Sequence, residues 1–186
     1  KQKTAYEIPK RDWSSDVCSS DLVLGRHVRF HAERLLIATG LYHLPPKIPG
    51  ANECVGHSLF FCKDCDGLKV RDKTVAIVGH NNEAVEYALG ITCYSSCVMI
   101  ATNGAKGRWD ETHAHWIEEY QIPVIEQKIV DIKHSKGFLS GVKFADERRL
   151  KVDFVFTTRG DIFYSEIARQ LGAEIDEDGQ IIMDCC

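Results

Sequence analysis

The chain has 186 residues, of which 44% are hydrophobic and 27% charged, and its net charge is −4. This is the make-up of an ordinary globular protein with a sizeable core, long enough for one domain or two small ones. The balance excludes any strong electrostatic pull toward nucleic acid or an anionic membrane, and no apolar run approaches the ~18 residues of a membrane span. No charged segment leading into an apolar one opens the chain, so a secretory signal is not expected and a cytoplasmic location is.

Lys1–Leu22 reads KQKTAYEIPKRDWSSDVCSSDL. The DWSSDVCSSDL stretch resembles the in-frame translation of a sequencing adapter, and KQKTAYEI resembles the primer that flanks it. The segment has no helical or alternating period of useful length, so it is set aside from fold reasoning. Its four basic and four acidic residues cancel, and Cys18 carries no functional weight.

From Val23 onward the pattern is α/β. Val28–Phe30 reads as a short strand, and Arg34–Thr39 as a buried strand ending at Gly40. Leu44–Gly50, with three prolines, reads as an interdomain crossing. Cys62-Lys-Asp-Cys65-Asp66-Gly67 follows. Thr74–Val78 is a second buried-strand run closed by Gly79. Glu83–Thr92 has the apolar spacing of a helix, and Cys97–Ile100 that of the next strand. This strand–turn–helix–strand order opens a doubly wound nucleotide-binding fold.

Asp110–Tyr120 reads as a helix capped by Asp110. Ile125–Lys133, Phe138–Phe144 and Leu150–Thr157 then read as three strands of a meander. Ser165–Gly172 is expected to be a last helix, and Ile181–Asp184 a last strand. The expected fold class is therefore α/β: a Rossmann-like, three-layer domain with a parallel sheet plus a β-meander.

Eight cysteines are many for this length. Cys62 and Cys65 form a CxxC beside a βαβ pattern, which favours redox use over a structural staple. Cys93 and Cys97 are expected to be small buried hydrophobes. The bland alternatives stay open. Cys54, His57, Cys62 and Cys65 offer four ligands suited to zinc, and Asp66 is also a common turn residue before glycine. His113 and His115 lie two apart on the expected helix and read as surface residues, while Trp109 and Trp116 read as packing.

Three features occur in fixed order: a strand ending in Ala38-Thr39-Gly40, then CxxCDG at Cys62–Gly67, then strand–glycine–helix from Thr74. This order resembles the low-molecular-weight thioredoxin reductases and their relatives in alkyl hydroperoxide reductase and the dithiol oxidases. The resemblance runs over nearly all of Val23–Cys186 and includes Asp153–Gly160. It implies a flavin-dependent disulfide oxidoreductase with FAD as cofactor, Thr39 and Gly40 near it, and a Cys62–Cys65 disulfide. It implies that Cys65 lies against the flavin, that Cys62 attacks the partner's disulfide, and that Asp66 moves the proton. The implied partner is a thioredoxin-like protein or a small dithiol or disulfide, and the implied parent is a homodimer.

The residues that would meet NADPH or NADH are Gly79, His80, Asn81, Asn82, Glu83, Ala84 and Arg108. They depart from the family's GxGxxA, because Asn81 stands where the middle glycine lets the pyrophosphate approach the backbone. Glu83 adds negative charge in the first helical turn, where a phosphate would sit. Thr102, Asn103 and Gly104 stand where basic residues would hold the 2′-phosphate, and only Arg108 remains. No acidic residue ends that strand to bind a ribose diol. An NADPH-independent dithiol oxidase or ferredoxin-linked reductase is therefore the alternative enzyme, and a non-catalytic zinc or nucleotide-binding domain the alternative class.

The resemblance also divides the chain. Residues 23–48 correspond to the tail of the first half of an FAD domain, 49–160 to the pyridine-nucleotide-type domain, and 161–186 to the start of the return. The family's N-terminal GxGxxG and its later Gly-Asp segment have no counterpart here. The expectation is a central fragment that would not turn over alone.

Overall fold

The computed structural model describes residues 22–24, 29–32, 34–158 and 160–183. The segment resembling translated adapter lies outside them except for Leu22. The chain divides into two compact units, Lys1–Leu41 with Phe163–Cys186, and Tyr42–Ile162.

The second unit is built on a five-stranded sheet. Its strands are β4 (Leu59–Phe60), β5 (Val75–Val78), β6 (Val98–Ala101), β7 (Val124–Ile125) and β11 (Phe154–Thr157). They lie in the order β4-β11-β5-β6-β7, and every pairing is parallel. Parallel strands buried on both faces require continuous apolar runs, and all four residues of β5 are buried. On one face lie α3 (Asn82–Thr92), which packs Ala84, Val85, Ala88 and Ile91 against Val75, Ile77, Ile100 and Phe156, and α4 (Glu111–Glu119), which adds Trp116 and Ile117. Trp109 and Trp116 pack against this cluster, as their sequence context suggested.

On the other face lies an antiparallel meander of β8 (Ile129–Ser135), β9 (Phe138–Phe144) and β10 (Arg149–Leu150). Ile129, Ile132, Val142, Phe144 and Val152 close a second core over Ala76, Val78, Ala101 and Val155. The short helix α1 (Ala51–Cys54) adds Ala51 and Cys54 to this core. The Rossmann-like three-layer expectation holds.

Two of the three expected meander runs are divided. Ile125 belongs to β7 in the parallel sheet, while Ile129–Lys133 lies in β8. Leu150 ends the meander in β10, and Phe154–Thr157 returns to the parallel sheet as β11. Periodicity alone does not reveal a change of sheet within one apolar run.

The first unit contains β1 (Leu22–Leu24) paired antiparallel with β2 (Arg29–His31), and α5 (Glu166–Gln170). The run Arg34–Thr39 is not the buried strand expected: it has no strand structure, and Leu36 is 90% exposed. An apolar run becomes a strand only where neighbouring strands take up its backbone groups. Here the strand is β3 (Leu41–His43), which pairs with β12 (Asp161–Phe163). The division between the units falls inside both strands. Ile181–Asp184 is likewise no strand among its described residues, which make only the bridge Ile175–Ile181.

Candidate functional site

The CxxC turn follows β4. Leu59 and Phe60 are buried, and the chain then emerges at Phe61. Cys62 is extended and caps the four-residue helix α2 (Lys63–Asp66), with its Sγ accepting from the Cys65 N–H at 3.1 Å. Cys62 and Cys65 form a disulfide with Cα atoms 5.3 Å apart, well within the usual span. Cys62 is half-buried and Cys65 exposed. Asp66 pairs with Lys69 at 2.6 Å. Gly67 has an ordinary negative φ, and what demands glycine is packing: a Cβ there would lie 2.5 Å from the Tyr94 ring.

Three residues that sequence reasoning did not single out brace this turn. The Tyr87 hydroxyl donates to the Phe61 carbonyl at 2.8 Å. The His43 ring stacks flat on Phe61 with centroids 4.7 Å apart, and its Nδ1 is 2.5 Å from an Asp161 carboxylate oxygen. His43 and Asp161 are 118 positions apart in the chain, and nothing local signals their pairing. Lys63 covers the Tyr87 ring from 5.8 Å and closes over Gly90. Helix α3 thus supports the redox turn along its length.

The same helix begins at the second candidate turn. Gly79 follows β5, and a Cβ there would meet Thr158 Oγ1 at 2.1 Å and Ala84 Cβ at 2.8 Å, so glycine is required by close packing. Asn81 is extended and caps α3, its Oδ1 accepting from Ala84 N–H at 3.3 Å and from Thr158 Oγ1 at 3.5 Å. The loop after β6 closes on this turn: Arg108 N–H donates to the His80 carbonyl at 2.6 Å, bridging Asn81 to Arg108. Asn82 is bonded to Asp110 in both directions, Nδ2 to Oδ2 at 2.8 Å and Oδ1 from N–H at 3.0 Å. Gly79–Ala84 and Arg108 are therefore brought together, and the Arg108 side chain is exposed as a solvated residue would be.

The first turn of α3 carries the Glu83 carboxylate. Partial desolvation raises the Glu83 pKa above the ordinary carboxylate value, helped by the carboxylates of Asp161 and Glu86 and opposed by a hydrogen bond from Asn81. Thr102 Oγ1 donates to the Ala105 carbonyl, and Asn103 Oδ1 accepts from the Ile129 N–H at the start of β8, so both side chains are bonded to backbone.

Several expectations are corrected. His113 is a buried residue, 9% exposed, whose Nδ1 lies 2.6 Å from Asp110 and Nε2 3.3 Å from Glu86, with Trp116 edge-on. The first turn of α4 draws the ring inward to its own cap. His115 is exposed, as expected. Cys93 and Cys97 are exposed, because they follow α3 and precede β6 at the sheet's edge loop, while Cys54 is buried and its thiol pKa is raised by desolvation. Among the described residues no three His, Cys, Asp or Glu side chains converge as a metal site requires, and two of the four conceivable zinc ligands are joined to each other. Thr39 and Gly40 lie in the first unit. Thr39 Oγ1 donates to the Tyr164 carbonyl at 2.7 Å, and Gly40 has φ +67° with open space where a Cβ would stand.

A family model for pyridine nucleotide-disulphide oxidoreductases matches residues 4–185, a range that takes in most of the adapter-like segment. The chain is 27% identical over 159 residues to the thioredoxin reductase of Bacillus subtilis, covering 82% of this chain and 50% of that protein. It is 28% identical over 170 residues to the thioredoxin reductase of Coxiella burnetii, covering 86% of this chain and 53% of that one. Among solved structures it superposes on one from Bacillus anthracis assigned as a thioredoxin reductase, with TM-score 0.74 and 29% identity over 90% of this chain and 57% of the other. The chain thus spans about half the length of the curated relatives it matches. With the ordered motifs, the parallel sheet and the bonded CxxC, the match over nearly its whole length makes the chain a member of the pyridine nucleotide-disulphide oxidoreductase family.

Proposed function

We propose that the protein of which this chain forms part is a flavin-dependent, thioredoxin-reductase-like disulfide oxidoreductase, and that its exchange chemistry runs through Cys62 and Cys65. The observation that carries this is the bonded pair at the start of α2, half-buried at Cys62 and exposed at Cys65. Its relatives named as thioredoxin reductases support the substrate class, a thioredoxin-like protein or a small dithiol or disulfide. A cytoplasmic location and a homodimeric parent belong to the same reading; among the described residues no helix is long and apolar enough to cross a membrane.

The chain's own residues suggest how the pair divides the work. When the pair is reduced, the Cys65 N–H bonded to Cys62 Sγ favours negative charge on that sulfur, which makes Cys62 the attacking thiolate. The Cys62 thiolate attacks one sulfur of the substrate disulfide, the substrate's S–S bond breaks, and a thiol leaves. Cys65 then attacks the mixed disulfide, re-forming Cys62–Cys65 and releasing the substrate as a dithiol, two electrons richer. Asp66, adjacent and anchored by Lys69, is the group to supply and collect the proton of the leaving sulfur.

FAD would supply those two electrons in the whole protein. Thr39 and Gly40 offer only a rim for it, with the Thr39 hydroxyl already bonded to Tyr164, so the described residues do not compose a flavin site. We assign 23–48 and 161–186 to parts of an FAD domain and 49–160 to the dithiol-bearing domain.

The test is trapping with a small aromatic disulfide. In Cys65→Ser, the Cys62 thiol should form the mixed disulfide faster than Cys65 does in Cys62→Ser, and faster than the exposed Cys93 and Cys97 of the same chain. Reactivity of Cys62 no greater than that of Cys93 and Cys97 would remove the redox assignment. Faster trapping of Cys65 would reverse the two roles.

A further inference from the structure

The second turn of this domain stands where the fold binds a dinucleotide. In open α/β sheets, ligands sit outside the carboxyl ends of the strands at a switch point. Here the switch lies between β5 and β11, since the chain runs from β5 outward through β6 to β7 and then returns on the other side as β11. Gly79–Ala84 and Thr158 are at that edge. A pyrophosphate held there needs three things: a bare backbone at the middle of the turn, free N–H groups at the start of the helix, and no competing negative charge.

Each of the three is taken by the chain itself. Asn81 puts a side chain at the middle position, and its Oδ1 shares the Ala84 N–H with the Asn81 carbonyl. Glu83 places a carboxylate in the first turn, with Glu86 and Asp161 near enough to oppose further anions. The loop after β6 is fastened onto the turn through Arg108 N–H and His80 O, and Asn82 is fastened to Asp110. Thr102 and Asn103 bring no positive charge to a 2′-phosphate, and the Thr102 hydroxyl is already bonded to Ala105.

We infer that Asn81 and Glu83 are specificity determinants that close this turn to pyridine dinucleotides, so that the domain serves the dithiol pair without docking NADPH or NADH. The inference rests on the dithiol reading only for its consequence; the closure itself is a property of the turn.

Isothermal titration of the full chain with NADPH, NADH and ADP-ribose tests it, beside the Asn81→Gly/Glu83→Gln double variant. Glycine at a helix cap costs only a few tenths of a kcal/mol, so the variant retains α3, which circular dichroism verifies. The wild-type chain should show no saturable binding at millimolar ligand. The double variant should bind at least about ten-fold more tightly, the equivalent of ~1.4 kcal/mol. Micromolar NADPH or NADH binding by the wild type overturns the closure. A folded double variant that gains nothing overturns the assignment to these two residues. Trapping of Cys62 in the same samples reports the dithiol reading separately, so failure of one leaves the other standing.

Discussion

The two turns that meet α3 make an instructive pair. Both are strand–turn–helix junctions of the same parallel sheet, and both present a polar side chain as the helix cap, Cys62 at one and Asn81 at the other. At the redox turn the cap is the reactive atom: Sγ accepts a backbone N–H, and its partner Cys65 is exposed. At the nucleotide turn the cap fills the middle position, and Asn81 Oδ1 shares the Ala84 N–H with the Asn81 carbonyl. One hydrogen-bonding device thus prepares a sulfur for exchange in the first case and seals a helix end in the second. The difference lies in which atom does the capping, not in the fold around it.

The comparison can be broken at its tightest point first. Gly79→Ala brings a Cβ to 2.1 Å from Thr158 Oγ1 and 2.8 Å from Ala84 Cβ, so the second turn must shift. Chemical denaturation should show a loss of about 1–3 kcal/mol, the usual cost of overpacking. Combination with Thr158→Ala should recover part of it, as neighbours sharing one contact are not additive. Asn81→Ala removes the cap without opening the turn as glycine does, and should cost ~1 kcal/mol of stability. The trapping rate of Cys62 should hardly change, since the redox turn has its own cap.

The smallest expected effect concerns the bracing of the second turn by Asp110. The hydrogen bond to Asp110 raises the His113 pKa, with desolvation opposing and a further bond to Glu86 in the same direction. Backbone and side-chain bonds from His113 hold the Asp110 pKa below its ordinary value. A histidine whose folded pKa is raised contributes stability that is fully present below the unfolded value of about 6.5 and is lost as pH rises through the folded value. Asp110→Asn keeps a good helix cap and removes the charge. The His113 midpoint, followed by NMR, should then fall toward the ordinary value, and the extra stability at low pH should shrink to what Glu86 supplies. An unchanged midpoint would show that Asp110 does not set it.

Much of this was legible in the residues. β5, α3, β6 and α4 fall within a residue or two of their expected places, because a buried strand and an amphipathic helix each write their period into the chain. The CxxC spacing marks Cys62 and Cys65 as a candidate redox pair, and their disulfide is what the family resemblance implies. Arg34–Thr39 misled because an apolar run says that burial is wanted, not that a partner strand is at hand. His113 misled because its two-residue spacing from His115 reads as the mark of a surface residue, while its own cap draws it inward.

The sequence by itself determined the local chemistry: which turn carries sulfur, which lacks its middle glycine, and where uncharged residues replace cations. These depend on residue type and short spacing, and neighbours in the chain are always neighbours in space. Only the tertiary structure decided what each group is bonded to. The stacking of His43 on Phe61, the Tyr87 bond behind Cys62, the pressure of Thr158 on Gly79 and the crossing of Arg108 over Asn81 join residues from distant segments. Such contacts arise from how the layers close over one another, and packing between layers leaves no period in the chain.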